Sequence, residues 1–174
     1  MTAMTEQDQR YTEATAQFGP ALERLARGYE AHPERQRDLV QDIHLALWRS
    51  FKGFDARCSL RTWVYRVAHN TATTHILKER QRHDRHWTSL DDDLPSKGAS
   101  AEETAQHQQA LDRLTRLIQH LKPQDRQIIL LYLEGLDASG MAEITGLTSA
   151  HISTKIHRIK ALLRRQFNEG DHHG

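Results

Sequence analysis

Apolar side chains recur at helical spacing along almost all of this chain. After a frayed start over residues 1–9, Ala14, Phe18, Leu22, Leu25 and Tyr29 fall on one face of a run that begins at Arg10, the recurrence of an amphipathic helix. Gly19-Pro20 inside that run either bends the helix or marks its true start, because proline lacks an amide hydrogen and fits a first turn. Ala31-His32-Pro33 ends it. A second helix is expected from Glu34 to Phe51. Leu39, Ile43, Ala46 and Leu47 line one side, with Val40, Trp48 and Phe51 beside them, and Asp38, Gln41, Asp42 and Arg49 lie opposite. After a loop from Lys52 to Ser59, Ser59 is placed to cap a third helix running from Leu60 to about Arg82. That helix should bury Val64, Val67, Ala68 and Ile76 and display Arg61, Trp63, Tyr65, Arg66, His69 and Asn70.

The period is lost from Trp87 to about Glu103, where Asp91-Asp92-Asp93, Pro95 and Gly98 mark a net-acidic linker between two helical domains. It returns from Ala105 to Leu121 through Leu111, Leu114, Leu117, Ile118 and Leu121. The next helix starts on Pro123, carries Ile128, Leu131 and Tyr132, and stops at Gly135. Leu136 to Arg165 then reads as two helices joined by a tight turn. Ala142 is small enough for a helix crossing, Gly146 suits a turn with positive φ, and Ile152 anchors the second helix, the spacing of a helix-turn-helix. Thr148 is a candidate N-cap. Ile152, Ile156, Ile159 and Leu163 give the second helix one buried stripe, while His151, Ser153, Thr154, Lys155, His157 and Arg158 supply donors and cations for a DNA groove. A polar tail follows from Asn168.

Composition narrows this picture to an all-α protein. The 174 residues include only four prolines and few aromatics, with no alternating β-branched run and no Asn-Gly or Asp-Gly hairpin. The net charge of +1 conceals a segregation of charge. Arg49, Lys52, Arg57, Arg61, Arg66, Lys78, Arg80, Arg82 and Arg85 face only Asp55, Glu79 and Asp84 over the same stretch. Cations with interleaved aromatic rings are the makings of a single-strand surface, phosphates meeting the charges and bases the rings. A single cysteine, Cys58, excludes an internal disulfide and suits a reducing cytosol. A polar N-terminus and the lack of a bilayer-length apolar run point to a soluble intracellular protein.

Three stretches together resemble the extracytoplasmic-function (group IV) sigma factors of bacterial RNA polymerase. DLVQDIHLALWRSFKGFD, Asp38 to Asp55, and SLRTWVYRVAHNTATTHILKER, Ser59 to Arg80, are similar to that family's domain 2 motifs. LKPQDRQIILLYLEGLDASGMAEITGLTSAHISTKIHRIKALLR, Leu121 to Arg164, is similar to its domain 4. There are departures: Asp42 stands for a usual glutamate, Ala138-Ser139-Gly140 for bulkier residues, and His151 and Ser153 for a threonine and a basic residue. Gly140 by itself weakens its helix by roughly 1 kcal/mol against alanine.

The resemblance implies two small helical domains, 10–87 and 105–168, joined by a flexible linker at 88–104. It implies a non-enzymatic, cytoplasmic protein without cofactor, metal or membrane insertion. Asp38, Gln41, Asp42, Leu45 and Arg49 would dock on the β′ clamp helices of core polymerase. Phe54, Asp55, Ala56, Arg57, Cys58 and Ser59, with Asn70, would form a pocket for a base flipped from the −10 element. Arg61, Trp63, Tyr65, Arg66, Lys78, Arg80 and Arg82 would hold or flank that strand, Trp63 and Tyr65 either buttressing the surface or stacking on it. Thr148, His151, Ser153, Thr154, Lys155, His157, Arg158 and Lys160 would address the −35 element, with Lys155, Lys160 and Arg164 nearer phosphates or the β flap. An anti-sigma factor is the expected regulator. An autonomous LuxR-like helix-turn-helix regulator explains only Leu136 to Arg165. A metal-dependent helical enzyme, suggested by twelve histidines, lacks a His-Glu-x-x-His motif.

Overall fold

A computed structural model describes residues 3–85 and 102–170, all of whose regular structure is helical. The acidic run Asp91-Asp92-Asp93, with His86, Trp87 and nearly all of the expected linker, lies outside the described residues, as do His172 and His173.

Helix α1 spans Glu6–Tyr29 and starts earlier than its apolar face suggests. Thr5 accepts from the Asp8 amide, and the Asp8 side chain accepts from the Thr5 amide, a closed capping box. Hydrogen bonds from Thr5 first, and then from the Trp48 indole at 3.0 Å, hold the Asp8 carboxyl below its usual range. Pro20 neither starts nor ends the helix. The Ala16 carbonyl gives up its amide donor there, and Gly19, having no Cβ, relieves the clash that a proline imposes on its predecessor.

Helix α2 spans Pro33–Ser50, with Pro33 in its first turn, and runs into a 3-10 turn at Phe51–Gly53. Helix α3 spans Leu60–Arg85 and is capped by Ser59, whose hydroxyl accepts from the Thr62 amide at 3.1 Å. The three helices enclose a core of Ala14, Leu22, Leu25, Leu39, Ile43, Leu47, Val64, Ala68 and Ala72.

The C-terminal half comprises α4 (Glu102–Gln119), α5 (Pro123–Leu133), α6 (Ala138–Thr145) and α7 (Ser149–Glu169). Gly135 and Gly146 adopt φ of 82° and 77°, so each supplies the left-handed residue that its turn needs. Asp137 caps α6 by accepting from the Gly140 amide at 2.7 Å. A Cβ on Gly140 would come within 3.1 Å of that Asp137 oxygen, so the glycine that weakens the helix also lets its cap close tightly. Ile118, Leu121, Ile128, Leu131, Met141, Ile144, Ile152, Ile159 and Leu163 form the second core. Leu111, expected inside, is 44% exposed.

The two halves do not stand apart. Ala21 of α1 and Tyr65 of α3 are buried in the second core. A Cβ on Gly28 would lie 2.5 Å from a Leu130 methyl, so α1 approaches α5 as closely as only glycine permits. Arg126 of α5 is 5% exposed in this seam. It donates to the carbonyls of Tyr29 at 3.1 Å, Leu121 at 2.9 Å and Gln119, and its guanidinium lies 5.7 Å from the centre of the Tyr29 ring. Arg24 closes the outer edge with a two-pronged ion pair to Glu134 at 2.7 and 2.9 Å.

Candidate nucleic-acid interface

Helix α2 turns Leu39, Ile43 and Leu47 inward, which leaves Asp38, Gln41, Asp42, Leu45 and Arg49 exposed on the far side. Leu45 is 46% exposed, a large apolar side chain set among carboxylates and an amide. The α3 residues Asn70, Thr71, Thr74, Lys78 and Arg82 share a groove of about 770 Å³ with this face. At the groove's far end Arg35 bridges to Glu79 at 3.0 Å, and Glu30 meets His75 at 3.0 Å. Asn70 and Lys78 are thus brought to the α2 face, whereas residues 54–59 do not line this groove.

The loop at 54–59 is built on an aromatic stack. Phe54 packs on Trp63 with ring centres 5.1 Å apart and edge-on to Phe51 at 5.9 Å. Arg10 covers its other side at 5.1 Å and donates to the Phe54 carbonyl at 2.7 Å. Ala56 holds φ at 59°, a left-handed turn in a residue that is not glycine, and Asp55 braces it by accepting from the Arg57 amide and guanidinium at 3.2 and 2.8 Å. Asp55, Ala56 and Arg57 are exposed at the tip, while Cys58 is half-buried.

Two expectations about α3 need correction. Tyr65 and His69, expected on the displayed face, are buried at 3% and 1% exposure, because α1 and the C-terminal half cover that side. Tyr65 sits edge-on to Phe18 at 5.9 Å, and burial raises the pKa of its hydroxyl. His69 bonds the Tyr29 hydroxyl at 2.7 Å, and burial pushes its pKa down to about 3. Trp63 is half-buried and donates to the Ser50 hydroxyl at 2.9 Å, so its indole buttresses the loop. Arg61 is exposed, Arg66 partly so, and Lys78, Arg80 and Arg82 are exposed further along the helix.

On α7, Thr148 caps the helix by accepting from the His151 amide at 3.2 Å. His151, Ser153, Thr154, His157 and Arg158 are all exposed. The lysines differ. Lys155 is ion-paired to Asp125 of α5 at 2.9 Å with only 16% of its side chain exposed. Lys160 reaches the Tyr132 hydroxyl at 3.3 Å, over the ring at 5.1 Å. Both tie α7 to α5, a use visible only once the helices are packed. Sequence reasoning also missed Glu134 and Glu143, which meet the α3 donors across the seam. Tyr65 donates to the Glu134 carboxylate at 3.4 Å and Thr62 to that of Glu143 at 3.2 Å, while Arg61 and Arg66 reach the carbonyls of the same two residues at 3.5 and 2.5 Å. Among the described residues no three His, Cys, Asp or Glu side chains converge as a metal site, and no helix is long and apolar enough to cross a membrane.

Comparison with known proteins matches residues 15–82 to sigma-70 region 2 and residues 111–163 to sigma-70 region 4. The ECF RNA polymerase sigma factor SigG of Mycobacterium tuberculosis is 44% identical over 45 residues, which are 26% of this chain and 12% of that protein. The RNA polymerase sigma factor YlaC of Bacillus subtilis is 26% identical over 145 residues, 79% of this chain and 80% of YlaC. Two solved folds are similar. One is CnrH in complex with the cytosolic domain of CnrY, with a TM-score of 0.65 and 20% identity over 91% of this chain and 88% of that one. The other is the sigma factor RpoE in complex with the anti-sigma factor NepR from Bartonella quintana, with a TM-score of 0.66 and 20% identity over 89% and 94%.

Proposed function

The chain belongs to the extracytoplasmic-function sigma factors of the sigma-70 family, and from that membership we propose that it binds core RNA polymerase, carries it to particular promoters and helps part the DNA strands there. Residues 10–87 act as the polymerase-docking and −10 domain, 88–104 as linker and 105–168 as the −35 domain. The observation that carries this reading is the pair of exposed polar faces, on α2 and on α7, each within one of the two matched regions and each backed by a buried apolar stripe.

The α2 face offers Asp38, Gln41 and Asp42 around the exposed Leu45. Carboxylate and amide acceptors around an apolar centre suit a partner helix that bears arginines, here the β′ clamp helices. Arg61, Arg66, Lys78 and Arg80 hold the melted strand by its phosphates, and Asn70 with the Phe54 to Ser59 loop takes a flipped base, whose unstacking is repaid by a fitted pocket. His151, Ser153, Thr154, His157 and Arg158 face the bases of the −35 major groove. Trp63 and Tyr65 support this surface from beneath. The protein needs no catalytic residue, since core polymerase makes the RNA, and it works where that enzyme works, in the cytoplasm. An anti-sigma factor is the expected negative partner, as the similar fold of RpoE was solved with the anti-sigma factor NepR.

Run-off transcription on genomic fragments with bacterial core polymerase tests the reading. Specific transcripts should start only when this chain is added, and a chain that neither binds core nor starts transcripts removes the proposal. Asp42→Arg should weaken core binding at least tenfold, or about 1.4 kcal/mol, in fluorescence anisotropy. Its melting temperature should not move, because Asp42 is exposed. Asn70→Ala should reduce permanganate reactivity of the −10 strand about tenfold while gel-shift binding to duplex promoter stays near wild type. Equal loss in both assays would refute the pocket role.

A further inference from the structure

Three side chains from the first turns of α1 reach the end of α2 and the loop beyond it. The Gln7 amide donates to the Trp48 carbonyl at 2.7 Å, Asp8 accepts from the Trp48 indole at 3.0 Å, and Arg10 donates to the Phe54 carbonyl at 2.7 Å. The first two secure α2. Arg10 is the one that grips the loop. Its other prong pairs with Glu6, one turn back, at 2.6 Å, and its guanidinium lies 5.1 Å from the centre of the Phe54 ring.

A peptide unit is planar, so holding the Phe54 carbonyl fixes the direction in which the chain leaves toward Asp55. The next firm hold comes at Ser59, whose hydroxyl caps α3. Between those points the chain turns on Ala56, with Asp55, Ala56 and Arg57 exposed. The contacts between Asp55 and Arg57 are internal to this turn and do not tie it to the helices. Its placement is therefore set by its two ends. At the Phe54 end, packing on Phe51 and Trp63 holds the ring, and Arg10 holds the backbone. The Arg10 side chain is 29% exposed and its partner Glu6 77%, and pairs so exposed contribute little to stability. What the planar fork adds is direction. A binding constellation needs that direction, because it must be held within about 0.5 Å of its productive geometry.

We propose that Arg10 is a positioning residue for base capture: by holding the carbonyl and ring of Phe54 it sets the 55–58 turn against the strand, and so governs which base the loop accepts, without touching DNA itself. This rests on the reading of the Phe54 to Ser59 loop as part of the pocket for a flipped −10 base.

The test uses the full chain assembled with core polymerase, on a promoter recovered by run-off transcription and remade as templates that differ by one non-template −10 base at a time. The yield of heparin-resistant complexes on each gives the wild-type preference at the captured position. Arg10→Ala should lower that preference about fivefold, whereas a folding defect would scale all templates alike and leave the ratio unchanged. In the free chain, hydrogen exchange read by mass spectrometry should show the Asp55 to Cys58 amides exchanging about tenfold faster, with the cores of α2 and α3 unchanged. Arg10→Lys keeps one donor for the carbonyl but not the fork, and should recover part of both effects. Arg27→Ala makes the same charge change at an exposed position of α1 and should alter neither. Wild-type preference in Arg10→Ala, or a turn that exchanges as in wild type, overturns the positioning role. Asn70→Ala distinguishes the two readings. If it loses the preference while Arg10→Ala keeps it, only the role of Arg10 fails; if wild type prefers no base at any −10 position, the pocket reading fails and the role of Arg10 with it.

Discussion

Replacing Arg126 by alanine should lower the unfolding free energy by about 3 kcal/mol, the largest loss expected from a single polar side chain in this protein. Three carbonyls lose their donor: that of Gln119, which ends α4, that of Leu121 in the turn beyond it, and that of Tyr29, which ends α1. Each is left in a region that side chains otherwise fill, and an unsatisfied buried polar group costs about 1–3 kcal/mol before any relaxation. The Tyr29 ring also loses its overlying cation. Burial opposes the charge and lowers the guanidinium pKa, which is why the net loss falls below the sum of the bonds removed. Urea denaturation followed by circular dichroism measures the change. Arg126→Lys should recover only part of it, since one ammonium does not reproduce the planar fork that serves three acceptors. A midpoint like that of wild type for Arg126→Ala would show that water satisfies those carbonyls as well as the guanidinium does.

Acid should destabilise the fold through His69. Its folded pKa is depressed, from 6.5 to about 3, by complete burial, and the unfolded chain binds the proton far more readily. The stability held by the neutral ring is therefore fully present above pH 6.5. It declines as pH falls below that value, and the decline levels off only near the folded value of about 3. At pH 5 the loss is about 2 kcal/mol, from 1.36 kcal/mol per pKa unit. His69→Gln keeps a polar partner for the Tyr29 hydroxyl and removes the titration. The difference in unfolding free energy between wild type and variant should shrink by about 2 kcal/mol between pH 7 and pH 5. A difference that stays constant with pH would assign the acid sensitivity to other groups.

These two residues also mark where the sequence stops being legible. Helices with one apolar face announced themselves: Leu39, Ile43 and Leu47 in α2, and Ile152, Ile159 and Leu163 in α7, lie inside as their spacing predicts. The glycine turns at 135 and 146 and the caps at Ser59 and Thr148 also stand where the sequence places them. The start of α1 was missed because its capping box closes with Asp8, a shorter acid than the glutamate or glutamine that usually signals one. Helix α3 misled because it is covered on two sides. Val64 and Ala68 face the first core and Tyr65 the second, so no single polar stripe survives to be read. The seam between the halves was invisible because most of its members do not look like core: Ala21, Gly28, Arg24, Arg126, Glu134 and Glu143. Of the candidate contact residues, those on the outer faces of α2 and α7 were legible from period, except Leu45, which only the family resemblance supplied. Pairing partners such as Asp125 and Glu134 were not, since they are set by tertiary approach.

The anchoring of α7 bears on how ions in solution act on the proposed −35 contact. Duplex DNA carries condensed counterions, and affinity falls with added salt in proportion to the number that a protein's free cations displace. Lys155 is already neutralised by Asp125, and Lys160 lies against Tyr132, so displacement falls to Arg158, Arg164 and Arg165. A reading helix with few free cations binds with a shallow salt slope, and leaves more of its selectivity to the hydrogen bonds of Ser153, Thr154 and its two exposed imidazoles.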